Sequence, residues 1–215
     1  MSVLKTVRIV FEKRGRAKFI SHLDLTRTMT RVVRRASIPL WYTEGFNRHP
    51  YLTFAAPLSL GYEGLRETMD LRLEEELPYE ELVDRLNSAM PEGLRVVSAA
   101  DAVCKPGDLF AATYLLHFDC SADELTALLS RPEILVEKKT KKKTTKTVDI
   151  RPAFARAQVK PCDQGASVTV TLPCNSAETI NPGLLLTALN AGREQPAHIH
   201  VIRQELLTKD GVPFR

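Results

Sequence analysis

Residues 69–90, MDLRLEEELPYEELVDRLNSAM, change period part-way along. Met69, Leu71 and Leu73 alternate with Asp70 and Arg72, which predicts a half-buried strand over residues 66–74. After Pro78, Leu82, Val83, Leu86 and Met90 recur at helical spacing, so Pro78 opens a helix. Working outward, KTVRIVF at residues 5–11 is β-branched and alternating, a second strand. Ser21 with Asp24 three positions on is an N-cap pattern, and its helix runs to about Ser37, where Pro39 stops it. Residues 50–57 read as a strand. Gly93 ends the helix after Pro78, and LRVVSA follows as another strand. The order is β-α-β-β-α-β, the ferredoxin-like arrangement.

Lys105-Pro106-Gly107-Asp108 reads as a linker, after which the pattern recurs. ATYLLHFD is a strand, and Ser121 with Glu124 caps the helix ADELTALLS. ILVEKKT and TTKTVDIR are strands flanking a lysine-rich turn, ASVTVTL is a strand, GLLLTALN a helix and HIHVIRQEL a final strand. The expected fold is therefore α+β, with two ferredoxin-like units in tandem, the second with an extra strand and a basic hairpin. The expected domains are residues 1–104 and 109–215.

With 44% hydrophobic and 26% charged residues, the composition is that of a globular protein. No run approaches the ~20 apolar residues of a membrane span, and the first residues lack a signal-peptide core. A cytoplasmic location is the expectation. Cys104, Cys120, Cys162 and Cys174 include no CxxC pair, which argues against a zinc site or iron–sulfur cluster; no metal or cofactor is expected. Net charge is +4, but it is unevenly spread. Residues 1–57 carry +8, residues 58–136 carry −10 and residues 137–215 carry +6. Two basic segments flanking an acidic one suggest a polyanion-facing surface built from both ends of the chain.

On a helical wheel, Leu25, Met29, Val32, Val33 and Ala36 share one side. Arg27, Arg31, Arg34 and Arg35 share the opposite side, and only Arg27 has an acidic residue, Asp24, within a turn. Such a face is either solvated, paired with acidic side chains elsewhere, or aimed at an external anion, for which the planar guanidinium is well suited. The segment continues into Trp41-Tyr42 and the turn Gly45-Phe46-Asn47-Arg48-His49-Pro50. Phe46 and Trp41 offer stacking faces, Asn47 and His49 hydrogen-bonding groups and Arg48 a cation, a set suited to RNA with unstacked bases. For Trp41 and Phe46 the alternative is packing, and for His49 a turn-capping hydrogen bond. Arg14, Arg16 and Lys18, in the turn after the first strand, extend the basic surface. So do Lys138, Lys139, Lys141, Lys142 and Lys143 in the second hairpin, with Arg151 just beyond; Asp149 and Arg151 are expected to pair. Catalysis is not expected; the candidates for an acid–base set are His22, Asp24 and His49.

The run FISHLDL at residues 19–25, Arg34-Arg35-Ala36, GFNRHP at residues 45–50 and APLSLG at residues 56–61 resemble the bacterial radical-SAM-linked family of uncharacterised proteins. Asp70, Pro91-Glu92-Gly93 and Asp149-Ile150-Arg151-Pro152 extend the likeness over nearly the whole chain; Arg48 departs from a proline common in relatives. The resemblance implies a module that acts beside a radical S-adenosylmethionine protein, in gene neighbourhoods of RNA-processing and ribosomal genes. Lacking CxxxCxxC, this chain would be the partner, not the radical enzyme. The functional expectation is a non-catalytic RNA-binding accessory in tRNA or rRNA modification or processing. The alternatives are a metal-independent endoribonuclease using His22 or His49, and a protein-docking adaptor for the radical-SAM partner.

Overall fold

The structure, a computed structural model, describes residues 4–139 and 145–215. The chain is α+β and divides into two compact units, Met1–Phe110 with Arg203–Arg215, and Ala111–Ile202. No helix among the described residues is long and apolar enough to cross a membrane.

The first unit runs β1 (Lys5–Lys13), α1 (His22–Arg35), β2 (Leu52–Phe54), β3 (Glu63–Leu73), α2 (Tyr79–Ala89) and β4 (Leu94–Asp101). β1 pairs antiparallel with β3, Val7 opposite Leu71 and Ile9 opposite Met69, and on its other edge with β4. β2 pairs with β3 at Leu71, Asp70 and Met69. The order is thus β4-β1-β3-β2. Val7, Ile9 and Phe11 on β1 and Met69, Leu71 and Leu73 on β3 have the same strand parity, and all face one core with Leu25, Met29, Val32 and Val33 of α1 and Leu82 and Leu86 of α2. α1 ends sooner than its periodicity suggests. Ser37 adopts a left-handed conformation at φ 51; its N–H donates to the Arg34 carbonyl, and that of Ile38 to the Val33 carbonyl. This pair of bonds closes the helix and turns the chain toward Pro39. The strand expected over residues 50–57 contracts to Leu52–Phe54.

The second unit contains most of β5 (Leu109–Phe118), then α3 (Ala122–Leu129), β6 (Leu135–Lys139), β7 (Thr145–Asp149), β8 (Gln158–Cys162), β9 (Gly165–Pro173), α4 (Gly183–Asn190) and the first residues of β10 (Ile199–Thr208). β9 is antiparallel to both β5 and β8, and β10 lies on the other side of β5. β6 and β7 form a separate two-stranded sheet, the basic hairpin. The sequence pattern gave this half five strands; β8 is a sixth. QVKPC has a proline and almost no alternation, so it does not read as a strand. It is nevertheless ordered by the β8–β9 turn at Asp163–Gly165, where Gly165 has φ 133 and a side chain would strike the Phe118 carbonyl. The remaining part of β10, Arg203–Thr208, belongs to the first unit, next to β3.

Each unit repeats two local devices. Ser21 caps α1 by accepting from the Asp24 N–H, and Ser121 caps α3 by accepting from the Glu124 N–H. At the end of the second helix, the Asn87 amide bonds both the N–H and C=O of Val96, and Asn190 does the same to Ala197. A non-glycine residue in the left-handed region costs ~1–2 kcal/mol. Ser37→Gly is therefore expected to raise stability by about 0.5–1 kcal/mol after the entropy cost of glycine, read as a higher urea midpoint with an unchanged slope.

Candidate nucleic-acid interface

α1 buries Leu25, Met29, Val32 and Val33 and leaves Arg27, Arg31, Arg34 and Arg35 exposed. Arg27 reaches Asp24 at 3.3 Å. Arg31, Arg34 and Arg35 have no ion-pair partner among the described residues. Arg34 and Arg35 lie in the last turn, where the helix dipole favours cations, so the three charges sit together at modest cost and keep their hydrogen-bonding forks free.

The chain leaving α1 is held at the end of β3. Leu40 bridges Leu73, the Trp41 N–H donates to the Arg72 carbonyl at 2.8 Å, and Tyr42 bridges Pro50. The loop is then closed on itself. The Thr43 N–H donates to the His49 carbonyl at 2.9 Å, the His49 N–H donates to Thr43 Oγ1 at 3.2 Å, and His49 Nδ1 lies 3.1 Å from Thr43 Oγ1 and 3.1 Å from the Asn47 carbonyl. The turn-capping alternative therefore describes His49. Gly45 takes φ 114 at the tip, and Phe46 beside it is fully exposed. Glu44, Asn47 and Arg48 are exposed with it. Trp41 behaves differently: it is half-buried, its ring centroid lies 6.0 Å from that of Tyr51, and the Arg72 guanidinium covers both rings. Trp41 anchors the loop, and Phe46 is its free aromatic face.

The basic turn at residues 14–18 rests on buried charge. Lys13 continues the apolar face of β1 yet is 1% exposed, and its ammonium donates to the carbonyls of Lys18 at 3.3 Å and Ile20 at 3.1 Å. Burial pushes the Lys13 amine below its ordinary pKa, against the pull of Glu67. Glu63, also buried, accepts from the Gly15 N–H at 3.2 Å and lies 3.9 Å from both Arg14 and Lys18. Arg16 points to solvent, and Lys18 stands 5.3 Å over the exposed Phe19 ring. Behind this turn Arg203 and Glu67 form a buried bidentate pair, and Arg203 also donates to the carbonyls of Ala56 and Pro57.

His22, Asp24 and His49 each have separate engagements. His22 lies edge-on to Phe54 at 5.1 Å, and burial, with Lys13 and Arg203 nearby, pushes its pKa down. The Asp24 carboxylate takes the Ser21 hydroxyl at 2.7 Å and Arg27, which hold its pKa below the carboxylate range. His49 is tied into its loop.

In the second unit, Lys138 reaches the Thr179 carbonyl at 3.5 Å, and Lys139 stands opposite Thr145 in the hairpin ladder. Lys141, Lys142 and Lys143 lie outside the described residues. The expected Asp149–Arg151 pairing is made through the backbone: Asp149 Oδ1 accepts the N–H groups of Ile134 at 2.8 Å and Arg151 at 2.9 Å, while the Arg151 guanidinium donates to the Arg131 carbonyl.

These positions fall within one family. Residues 6–182 match the family described as an uncharacterised protein conserved in bacteria (DUF2344). The chain belongs to the DUF2344 family. No curated protein matches it.

This DUF2344 member also has a constellation that sequence reasoning missed. In the second unit a cavity of about 510 Å³ is lined by His117, Asp119, Cys162, His198 and His200. Asp119 accepts from the His198 N–H at 2.7 Å and meets its Nδ1 at 2.9 Å, contacts that hold the Asp119 carboxyl below its usual range. His117 and His200 stack at 6.1 Å. Among the described residues no three His, Cys, Asp or Glu side chains are placed to hold a metal ion. Asp119 and His198 are 79 residues apart, and neither lies in a recognisable motif.

The backbone N–H groups of Ile134 and Arg151 depress the Asp149 pKa below its ordinary 3.8. A carboxyl depressed on folding contributes stability above its ordinary pKa, and that contribution is lost as pH falls through the folded value. Asp149→Asn is therefore expected to lower the melting temperature at pH 7 and to flatten its fall below about pH 4. Circular dichroism melts across pH 2–7 check this; parallel acid limbs in the two proteins would remove Asp149 from the acid transition.

Proposed function

We propose that this chain is a non-catalytic RNA-binding accessory protein of the bacterial cytoplasm, serving a radical-SAM enzyme in tRNA or rRNA modification or processing. The observation that carries the RNA reading is the set of exposed guanidinium groups of Arg31, Arg34 and Arg35, without an ion-pair partner among the described residues, on the helix that leads into the Phe46 loop. Phosphate contact needs free cations, and recognition of unstacked bases needs an exposed ring. Arg14, Arg16 and Lys18 add a second basic turn on a rigid support, and the lysine hairpin a third basic element.

The antiparallel order β4-β1-β3-β2, and the order β10-β5-β9-β8 with its antiparallel β5–β9 and β8–β9 pairs, support the reading of two ferredoxin-like units. The radical-SAM partner rests on the sequence resemblance of FISHLDL and GFNRHP alone. The endoribonuclease alternative finds little support, because His22, Asp24 and His49 are each engaged elsewhere.

Fluorescence anisotropy with labelled tRNA, titrated at several salt concentrations, tests the reading. Each phosphate contact contributes roughly 0.7–0.9 to the slope of log affinity against log salt. The triple substitution Arg31→Ala, Arg34→Ala, Arg35→Ala is expected to reduce that slope by about 2–3. Phe46→Ala is expected to cost ~1–3 kcal/mol with an unfolded RNA and leave the slope unchanged. An unaltered slope in the triple variant would refute the arginine-face assignment.

A further inference from the structure

Part of the acidic segment of the chain lies on α2 and borders an open strand edge. β4 is the outermost strand of the first unit's order. Its exposed edge is protected over only half its length. The outward N–H and C=O of Val96 are both taken by Asn87, and the ladder to β1 is interrupted by a bulge between the pairs Phe11–Val96 and Val10–Ser98. Beyond the bulge the protection stops. The Ala102 N–H donates to Thr6, and pairing alternates along an antiparallel ladder, so Ala100 and Ser98 bond to β1 while Ala99 directs its N–H and C=O outward. No described residue bonds to that side of Ala99.

Natural edges are blunted by lysine, proline or short length. In the second unit the outer strand β8 has both Lys160 and Pro161 in five residues. Ser98-Ala99-Ala100 has neither, and its small side chains leave room for another backbone. Beside it runs a groove of about 420 Å³ lined by Tyr79, Glu80, Val83 and Asp84 of α2 with Val97 and Ala99 of β4. Val97 is 44% exposed. Glu80 and Asp84 are exposed, one helical turn apart, with no ion-pair partner among the described residues. The nearby cations have other partners: Arg85, next to Asp84 on α2, is paired with Glu81; Lys5, over the Tyr79 ring, is paired with Asp101; and Arg95 lies on the protected half of β4.

We infer that the Ser98–Ala100 edge of β4 accepts an extended, lysine- or arginine-rich segment of a partner protein as an added strand. Its backbone pairs with Ala99, its apolar side chains cover Val97 and Val83, and its cations meet Glu80 and Asp84. A second copy of this chain pairing β4 to β4 is disfavoured, since it would bring the two acidic helix faces together.

The probe is a fluorescent twelve-residue peptide alternating lysine and valine, with a glutamate–valine peptide as control, added to the full chain. The lysine peptide is expected to bind saturably, to slow amide exchange at Ala99, and to lose at least tenfold affinity in Glu80→Lys, Asp84→Lys and in Ala99→Pro. The double charge variant alters exposed side chains only, so it serves even where the proline variant does not fold. No saturable binding, equal binding by the double variant, equal binding by a folded proline variant, or exchange protection confined to other residues would each overturn the inference. Concentration-dependent dimerisation that protects Ala99 without peptide would make a second copy the occupant and overturn it as well.

Discussion

The first unit depends on one buried ion pair, Arg203 with Glu67. Both side chains are at most 4% exposed, and removing two charges from water costs several kcal/mol each unless geometry repays it. Here it is repaid by a bidentate contact and by two further donations from Arg203 to the Ala56 and Pro57 carbonyls. Gly64 belongs to the same arrangement: a side chain there would run into the Glu67 carboxylate. Because the partners are 136 residues apart, the pair also decides where the end of the chain must go. Residues 203–215 belong to the first unit, and the tail continues through Phe214, whose ring lies 4.2 Å from the Arg8 guanidinium. Arg8 in turn is bidentate to its ladder partner Asp70 and donates to the Cys104 carbonyl.

From that buried centre the surface follows. Lys13 and Glu63 extend the same charged interior and bond the backbone of residues 15–20. The basic turn and the start of α1 are thereby held on a rigid base, and the cost of ordering them is met in folding. α1 and α2 pack on one core, yet their outward faces carry opposite sign, arginine on α1 and Glu80, Glu81 and Asp84 on α2. The first unit therefore carries fields of opposite sign on neighbouring helices.

What the sequence revealed was whatever is local. The arginine face of α1 follows from a 3.6-residue period, and Ser21 and Ser121 as caps follow from three-residue spacing. The closed GFNRHP loop follows from glycine, asparagine and proline in a short run. Contacts across long separations were not legible: Glu67 with Arg203, Asp119 with His198, and Arg8 with Asp70. Yet a trace was present. Lys13 and Glu67 share parity with the core residues of their strands, so charge at an inward position was itself the signal of a buried cluster. β8 was hidden because a proline in an edge strand removes the alternation by which strands are recognised.

The two units differ where their basic elements lie. Caps, asparagine clamps and strand pairing are shared, so each unit solves the same packing problem in the same way. In the first, the connection from α1 to the next strand is the loop that carries Phe46 and Arg48. In the second, the connection from α3 to β8 contains the β6–β7 hairpin with Lys138 and Lys139, and the turn of Asp149 and Arg151. Both insertions fall at the same step of the topology, after the first helix and before the strand that pairs with the third. A connection there adds residues without altering the ladder or the core, so it tolerates charge and exposed aromatic groups that packed elements would reject. The Phe46 loop carries Arg48 beside Glu44, while the hairpin carries Lys138 and Lys139, so what the two units share is the position of the insertion and not its charge.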